Sequence, residues 1–341
     1  MNKKYITDLY HKGYVSSADV HFANFIGEID KNNDPDIFLA AALVSRSTGN
    51  GDVYLDLGGV PETLISLELN GDTAVKSLEL SEWSKKISQS RSVGSPGDFC
   101  PLILDNKNRL YLYRYWEYEN HVSEAISRRM REDIPNIDRT LLKGGLKRLF
   151  PKNDDDSKWL KVAAVIAAFK KFCVITGGPG TGKTFTMAKI LALLLELSRK
   201  NTLNILLAAP TGKAAARIGE SVKAVKTTLD CRDNIIDAIP DEAHTIHRML
   251  KTIPGSPYFR YNAENPLIAD VVVVDEASMV DLALMSKLMA AVPDDARLIF
   301  IGDRDQLTSV ETGFVMADIC DRDHVHTFSR YFCKQFQDIT G

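Results

Sequence analysis

One run of residues carries the clearest chemistry in this chain: Gly177-Gly178-Pro179-Gly180-Thr181-Gly182-Lys183-Thr184. It fits G-x-x-x-x-G-K-[ST], with Gly177, Gly182, Lys183 and Thr184 at the fixed places. Glycines let the backbone fold tightly enough for successive N–H groups to aim at phosphate oxygens. The helix that follows adds the positive end of its dipole. Lys183 is placed to reach the β and γ phosphates of a nucleotide, and the Thr184 hydroxyl to ligate Mg²⁺. Such a string also occurs in glycine-rich turns that bind nothing, so its flanks matter. Residues 172–176 before it form a short apolar run of strand type. Residues 186–196 after it form an apolar, helix-forming run with no breaker. Both suit a phosphate-binding loop.

A second group of acids complements that loop. Four valines at 271–274 run straight into Asp275-Glu276. An apolar strand ending in Asp-Glu supplies the other half of a phosphate-loop nucleotidase site. Asp275 would hold Mg²⁺, and Glu276 is the candidate base that polarises the attacking water. The competing reading is an exposed acidic turn. The apolar run 298–301 ends in Gly302-Asp303-Arg304-Asp305-Gln306. There Gln306 is placed to sense the γ-phosphate and Asp303 to help hold metal or water, although a polar loop has the same composition.

Two weaker clusters point to nucleic acid. Pro210-Thr211-Gly212-Lys213 follows the apolar run 204–209, and a turn at a helix start can hold a DNA phosphate. Lys213 and Arg217, one helical turn apart, add charge or form a solvated face. Thr245 and His247 lie in Thr245-Ile246-His247-Arg248. His244 is one turn before His247 but no third ligand is near, so His247 reads as a polar-contact histidine and not a metal ligand.

These groups need a scaffold. Strand-type runs at 172–176, 204–209, 271–274 and 298–301 alternate with helix-type runs. Near-continuous apolar strands separated by helices predict a parallel sheet buried on both faces, in a doubly wound α/β lobe over residues 158–341. Residues 1–132 predict a smaller, mostly helical unit with a β-hairpin: a helix over 37–44, a strand near Val53–Leu57, and a hairpin turning at Asp105-Asn106-Lys107-Asn108. Trp83, Trp116 and the tyrosines there are either a base-stacking surface or core and rim residues, and the second is the commoner fate. Residues 133–157 predict a connector.

Composition narrows the classes. Apolar residues make up 45% and charged residues 26%, which suits a globular protein with real cores. No apolar run reaches the roughly 18 residues of a membrane span, and the N-terminus lacks the apolar core of a secretory signal. The five cysteines have no CxxC spacing, which argues for reduced thiols in a cytoplasmic protein. A net charge of −3 gives no global pull toward nucleic acid, so any such contact must be local.

In order, GGPGTGKT, APTGKAAAR, TIHRML, VVVVDEASMVD and IFIGDRDQLTSVETG resemble the motifs of superfamily 1 DNA helicases of the 5′→3′ type. The N-terminal segments IFLAAALVSRSTGNGDVYLDL and PLILDNKNRLYLYRYWEYE resemble, more narrowly, the helicase subunits of RecBCD-type exonuclease V. The resemblance implies a RecA-like ATPase lobe that uses ATP and Mg²⁺. It implies a single-stranded DNA path along Pro210, Thr211, Gly212, Lys213, Thr245 and His247. It also implies a heterotrimer with RecB- and RecC-type subunits, residues 1–132 docking on the RecC type. Two departures stand out. Leu160 occupies the place where the family has an adenine-reading Gln. The family's second motor lobe, with its arginine finger, has no counterpart before Gly341. Because such a finger contributes roughly 10³–10⁵ in rate, weak binding and slow hydrolysis are expected of this chain alone. The alternative function is an assembly module in which hydrolysis is secondary. A small-molecule kinase fits the later strand tips less well.

Overall fold

The computed structural model describes residues 9–31, 34–60, 80–131, 133–151, 155–178, 180–198, 202–303, 312–320 and 327–340. They form two compact units: residues 1–120 with 310–313, and residues 121–309 with 314–341.

The first unit is built on a helix pair, α1 (Ser17–Asp30) and α2 (Pro35–Gly49). Both starts are written in the sequence. Ser16 and Asp19 form a reciprocal capping box on α1. Asp34 caps α2 and Pro35 follows at the first helical position. The helices approach closely because Gly27 has no side chain: a Cβ there would lie 2.0 Å from the Phe38 ring. A four-stranded sheet completes the unit, with β1 (Tyr54–Asp56), β2 (Val93–Gly94), β3 (Leu102–Leu104) and β4 (Arg109–Leu112) in the order β1-β4-β3-β2. β3 and β4 are the expected hairpin. Asp105 organises its turn by accepting from the N–H groups of Lys107 and Arg109, and Asn108 takes the left-handed conformation. α3 (Leu80–Ser88) buries Trp83 in this core, 1% exposed, so this tryptophan is a packing residue. Thr312 and Gly313 belong to this unit, donating to the carbonyls of Thr48 at 2.9 Å and Gly51 at 3.0 Å.

The division falls inside α4 (Tyr113–Arg131). The second unit holds the rest of α4, then α5 (Arg139–Leu149), α6 (Asp155–Phe169), β5 (Phe172–Thr176), α7 (Lys183–Leu197), β6 (Ile205–Ala209), α8 (Gly212–Lys226), α9 (Asp233–Ala238), β7 (His244–Thr245), α10 (Ile246–Leu250), β8 (Val271–Val274), α11 (Leu282–Ala291), β9 (Arg297–Gly302), α12 (Val315–Ile319) and α13 (Arg330–Thr340). Its sheet is wholly parallel among the described strands, in the order β5-β9-β8-β6-β7. β8 is buried along its whole length, as four consecutive valines require of a strand covered on both faces. Within 133–157, α5 sends Leu142, Leu146 and Leu149 into the same core as α7 and the sheet.

Arg129 is the unexpected core residue. Its side chain has no exposure. The guanidinium donates to the carbonyls of Ala125, Val292 and Pro293, pinning α4 to the end of α11. Burial lowers its pKa, and Asp294 at 3.6 Å partly offsets this.

Candidate nucleotide-binding site

All five strands of the parallel sheet present their C-terminal tips at one edge, where open α/β sheets bind ligands. The register sets the tips level. Thr176 pairs with Gly302, Val274 with Phe300, Ala208 with Val274 and Ala209 with Thr245. Two backbone bonds lace the tips together: Gly177 N donates to Gly302 O at 3.2 Å, and Asp275 N to Ala208 O at 2.9 Å.

The loop after β5 turns on Gly180 (φ +78°) and Gly182 (φ +76°), a conformation that side chains resist. Gly177 also leaves room for a neighbour, since a Cβ there would lie 2.9 Å from Thr181 Oγ1. Thr181 in turn donates to Gly178 O at 2.9 Å. Lys183 folds back over the loop, and its ammonium donates to the carbonyls of Gly177 at 2.7 Å and Gly178 at 2.9 Å. These acceptors are neutral, so a phosphate oxygen would be a stronger partner for the same ammonium. Thr184 is half-buried in the first turn of α7. Pro179, the remaining loop residue, lies outside the described residues.

β8 ends in a strained pair. Asp275 is 7% exposed, and burial is the main cause that raises its pKa. The Glu276 charge pushes the same way, whereas its bond to the Glu276 N–H (2.9 Å) and the charges of Lys183 and Arg217 oppose it. Glu276 sits at φ +52°, ψ +38°, in the left-handed region, where a non-glycine residue costs about 1–3 kcal/mol. That turn swings the chain off the strand and leaves the Glu276 side chain half-buried. Asp303, at the tip of β9, is buried. Gly302 before it has no room for a side chain: a Cβ would lie 2.7 Å from Met316 Sδ. Gln306 lies outside the described residues.

Lys183 and Glu276 are therefore each within electrostatic reach of Asp275. Arg217 joins them. The sequence left it as either a charge toward DNA or part of a solvated face, and from the second turn of α8 its charge also acts on Asp275. Hydroxyl and carboxylate oxygens are the hard donors that Mg²⁺ takes. A buried carboxylate with a raised pKa is a group that a cation would relieve, so Thr184 and Asp275 fit the metal.

The second cluster also assembles at this edge. Thr211 follows β6 by two residues and Thr245 ends the adjacent β7, and each caps the helix after it. The Thr211 hydroxyl accepts from Ala214 N at 3.2 Å, and that of Thr245 from Arg248 N at 3.1 Å. Pro210 is half-buried, and Gly212 and Lys213 are exposed. His247 is exposed and its ring meets Phe259 edge-on at 5.7 Å. Among the described residues no cluster of His, Cys, Asp and Glu could hold a metal on its own, and no helix is long and apolar enough to cross a membrane.

Comparison with known proteins agrees with this layout. Residues 11–111 match the N-terminal domain of the RecBCD enzyme subunit RecD, and residues 161–312 match an AAA domain. The chain is 37% identical over 318 residues to the RecBCD enzyme subunit RecD of Mycobacterium tuberculosis, covering 91% of this chain and 51% of that protein. It is 40% identical over 220 residues to the RecD subunit of Haemophilus influenzae, covering 62% and 33%. Over 143 residues it is 40% identical to the ATP-dependent RecD2 DNA helicase of Deinococcus radiodurans, covering 42% and 17%. The chain spans about half the length of the first of these relatives, or less for the others. An N-terminal region like that of RecD is followed along one chain by an AAA domain, and 91% of the chain is similar to a RecD subunit of a RecBCD enzyme.

Proposed function

We propose that this chain supplies the first motor lobe and the N-terminal docking unit of an ATP-dependent 5′→3′ DNA helicase subunit. The enzyme would be a RecBCD-type exonuclease V, acting in the cytoplasm in double-strand break repair and recombination. One observation carries the reading: in a chain similar to RecD subunits, Lys183, Asp275 and Glu276 meet at the ligand edge of a parallel sheet.

Lys183 exchanges the Gly177 and Gly178 carbonyls for the β and γ phosphates, while loop N–H groups from Gly177 to Thr184 cradle the rest. Mg²⁺, when bound, neutralises phosphate charge. Thr184, Asp275 and Asp303 would hold it. Glu276 orients the attacking water and takes its proton, and Gln306 reports the γ-phosphate. Single-stranded DNA runs over Pro210, Thr211, Gly212, Lys213, Thr245 and His247, on the same edge as the nucleotide. Residues 1–132 dock on a RecC-type subunit in a heterotrimer with a RecB type. In the alternative, docking is the main task and hydrolysis is secondary.

The test is the ATPase rate of the assembled enzyme with and without single-stranded DNA. DNA should stimulate it, and Glu276→Gln in this subunit should remove the share this subunit contributes. Equal rates in wild type and variant would leave the docking reading standing.

A further inference from the structure

Two exposed aromatic side chains flank the phosphate loop, for topological reasons. α6 leads into β5 through Lys170 and Lys171 and packs along it, so it runs antiparallel to the strand. α7 starts after the loop at the other end of β5 and runs back. Both helices run opposite to β5, so α6 and α7, which pack against each other, are parallel and both start at the phosphate-loop end. Lengths agree. From Trp159 to Phe169, α6 climbs about 15 Å at 1.5 Å per residue. From Phe172 to Thr176, β5 descends about 13 Å at 3.3 Å per residue.

Trp159, in the early part of α6, is 45% exposed. Its ring lies 6.1 Å from that of Phe328, which continues through Phe332 at 5.2 Å to Phe336 at 6.2 Å. The apolar backing holds the indole in place. Phe185 directly follows Thr184 in the first turn of α7 and is 39% exposed. The Lys189 ammonium sits 4.3 Å from its ring centre. Leu160, beside Trp159, packs on the core and offers no polar atom.

A nucleotide whose phosphates sit on the loop has its base tethered beside these helix starts. We infer that Trp159 and Phe185 form the base-reading surface, and that the site takes nucleotides by stacking, with little discrimination between adenine and guanine. Stacking tolerates any base because every base has a π face. Strong discrimination needs a buried group that hydrogen-bonds one base and is left unpaired by the other. The inference rests on the phosphate-loop reading proposed above and adds its specificity.

The test titrates the purified chain with Mg²⁺·ADP and Mg²⁺·GDP, read by tryptophan fluorescence and independently by calorimetry. Wild type should bind the two within about threefold and show quenching that Trp159→Phe removes. Stacking of about 1–3 kcal/mol per base predicts affinity losses of about five- to a hundredfold in Trp159→Ala and in Phe185→Ala. Both residues are exposed, so both variants should fold, which circular dichroism checks. A preference for ADP above about twentyfold overturns the inference, as do unchanged affinities in both alanine variants. Those results leave the phosphate-loop reading intact if Lys183→Ala still weakens binding by about ten- to a hundredfold. Failure of wild type to bind either nucleotide, or full binding by Lys183→Ala, overturns both.

Discussion

The tips of β5, β9 and β8 and the tips of β6 and β7 lie along one edge of one sheet, but they treat their polar groups differently. At the first three, the groups are held in reserve. The Lys183 ammonium rests on neutral carbonyls, Asp275 is buried at a raised pKa, and Glu276 occupies a left-handed backbone. At the other two, Thr211 and Thr245 are already spent as helix caps. The first arrangement stores free energy that a ligand can release. The second presents helix starts whose remaining N–H groups need no reorganisation. A chemical site and the proposed DNA track would differ in that way: one must change on binding, whereas the other must not bind too tightly.

The contrast breaks most sharply at Glu276. Glu276→Gly should lower hydrolysis by about 10²–10⁴, the usual share of a general base. It should also stabilise the nucleotide-free chain by about 1 kcal/mol through relief of the left-handed strain. For a unit of this size that is a rise in Tm of about 2–4 °C. A loss of activity together with a loss of stability would show that Glu276 is not strained for function. Next in size, Lys183→Ala should weaken nucleotide binding by about ten- to a hundredfold. That corresponds to about 1.5–3 kcal/mol for hydrogen bonds to a charged group, and calorimetry measures it.

Asp275 gives the comparison a pH dependence. Its folded pKa is raised, so the protonated form is the one folding favours. Its contribution to stability is present at low pH and is lost as pH rises through the folded value. Metal needs the ionised form. The Mg²⁺-dependent part of nucleotide affinity should therefore fall on acidification at a higher pH than an ordinary carboxylate would give. Asp275→Asn should abolish that dependence and raise the melting temperature of the nucleotide-free chain at neutral pH. If Mg²⁺ dependence follows the ordinary carboxylate range instead, burial is not what tunes this residue.

Much of this frame was legible because it follows from local rules. The runs 172–176 and 271–274 are apolar without alternation and end in glycine or acid, so both the parallel sheet and its ligand edge could be read. What escaped depends on how helices rotate over the sheet. Arg217 sits one turn beyond Lys213 and both are exposed, and spacing alone cannot say that the charge of Arg217 is the one that reaches Asp275. Arg129, in the basic string Arg128-Arg129-Met130-Arg131, reads as solvated. It is buried because three carbonyls distant in sequence or within its own helix accept from it. β7 has two residues, too short for any pattern to register, and exists through its pairing with β6.

On the other side of the comparison the effects are smaller and of a different kind. Thr211→Ala should cost about 1 kcal/mol of stability through the lost cap, with Thr211→Ser restoring most of it. Stability and DNA affinity should fall together if the cap and the phosphate contact share one helix start. A stability loss with DNA affinity intact would confine Thr211 to its cap.

Lys213 is the cleanest probe because it is exposed and no structural task competes with its charge. Lys213→Ala should leave the melting temperature unchanged, weaken single-stranded DNA binding uniformly across sequences, and reduce the salt slope by about 1. A phosphate contact releases about one counterion, so slope and affinity must move together. If affinity drops while the slope holds, the lysine acts through the shape of α8. If neither moves, the polymer does not pass this helix start, and the β6 and β7 tips are capped turns with no track between them.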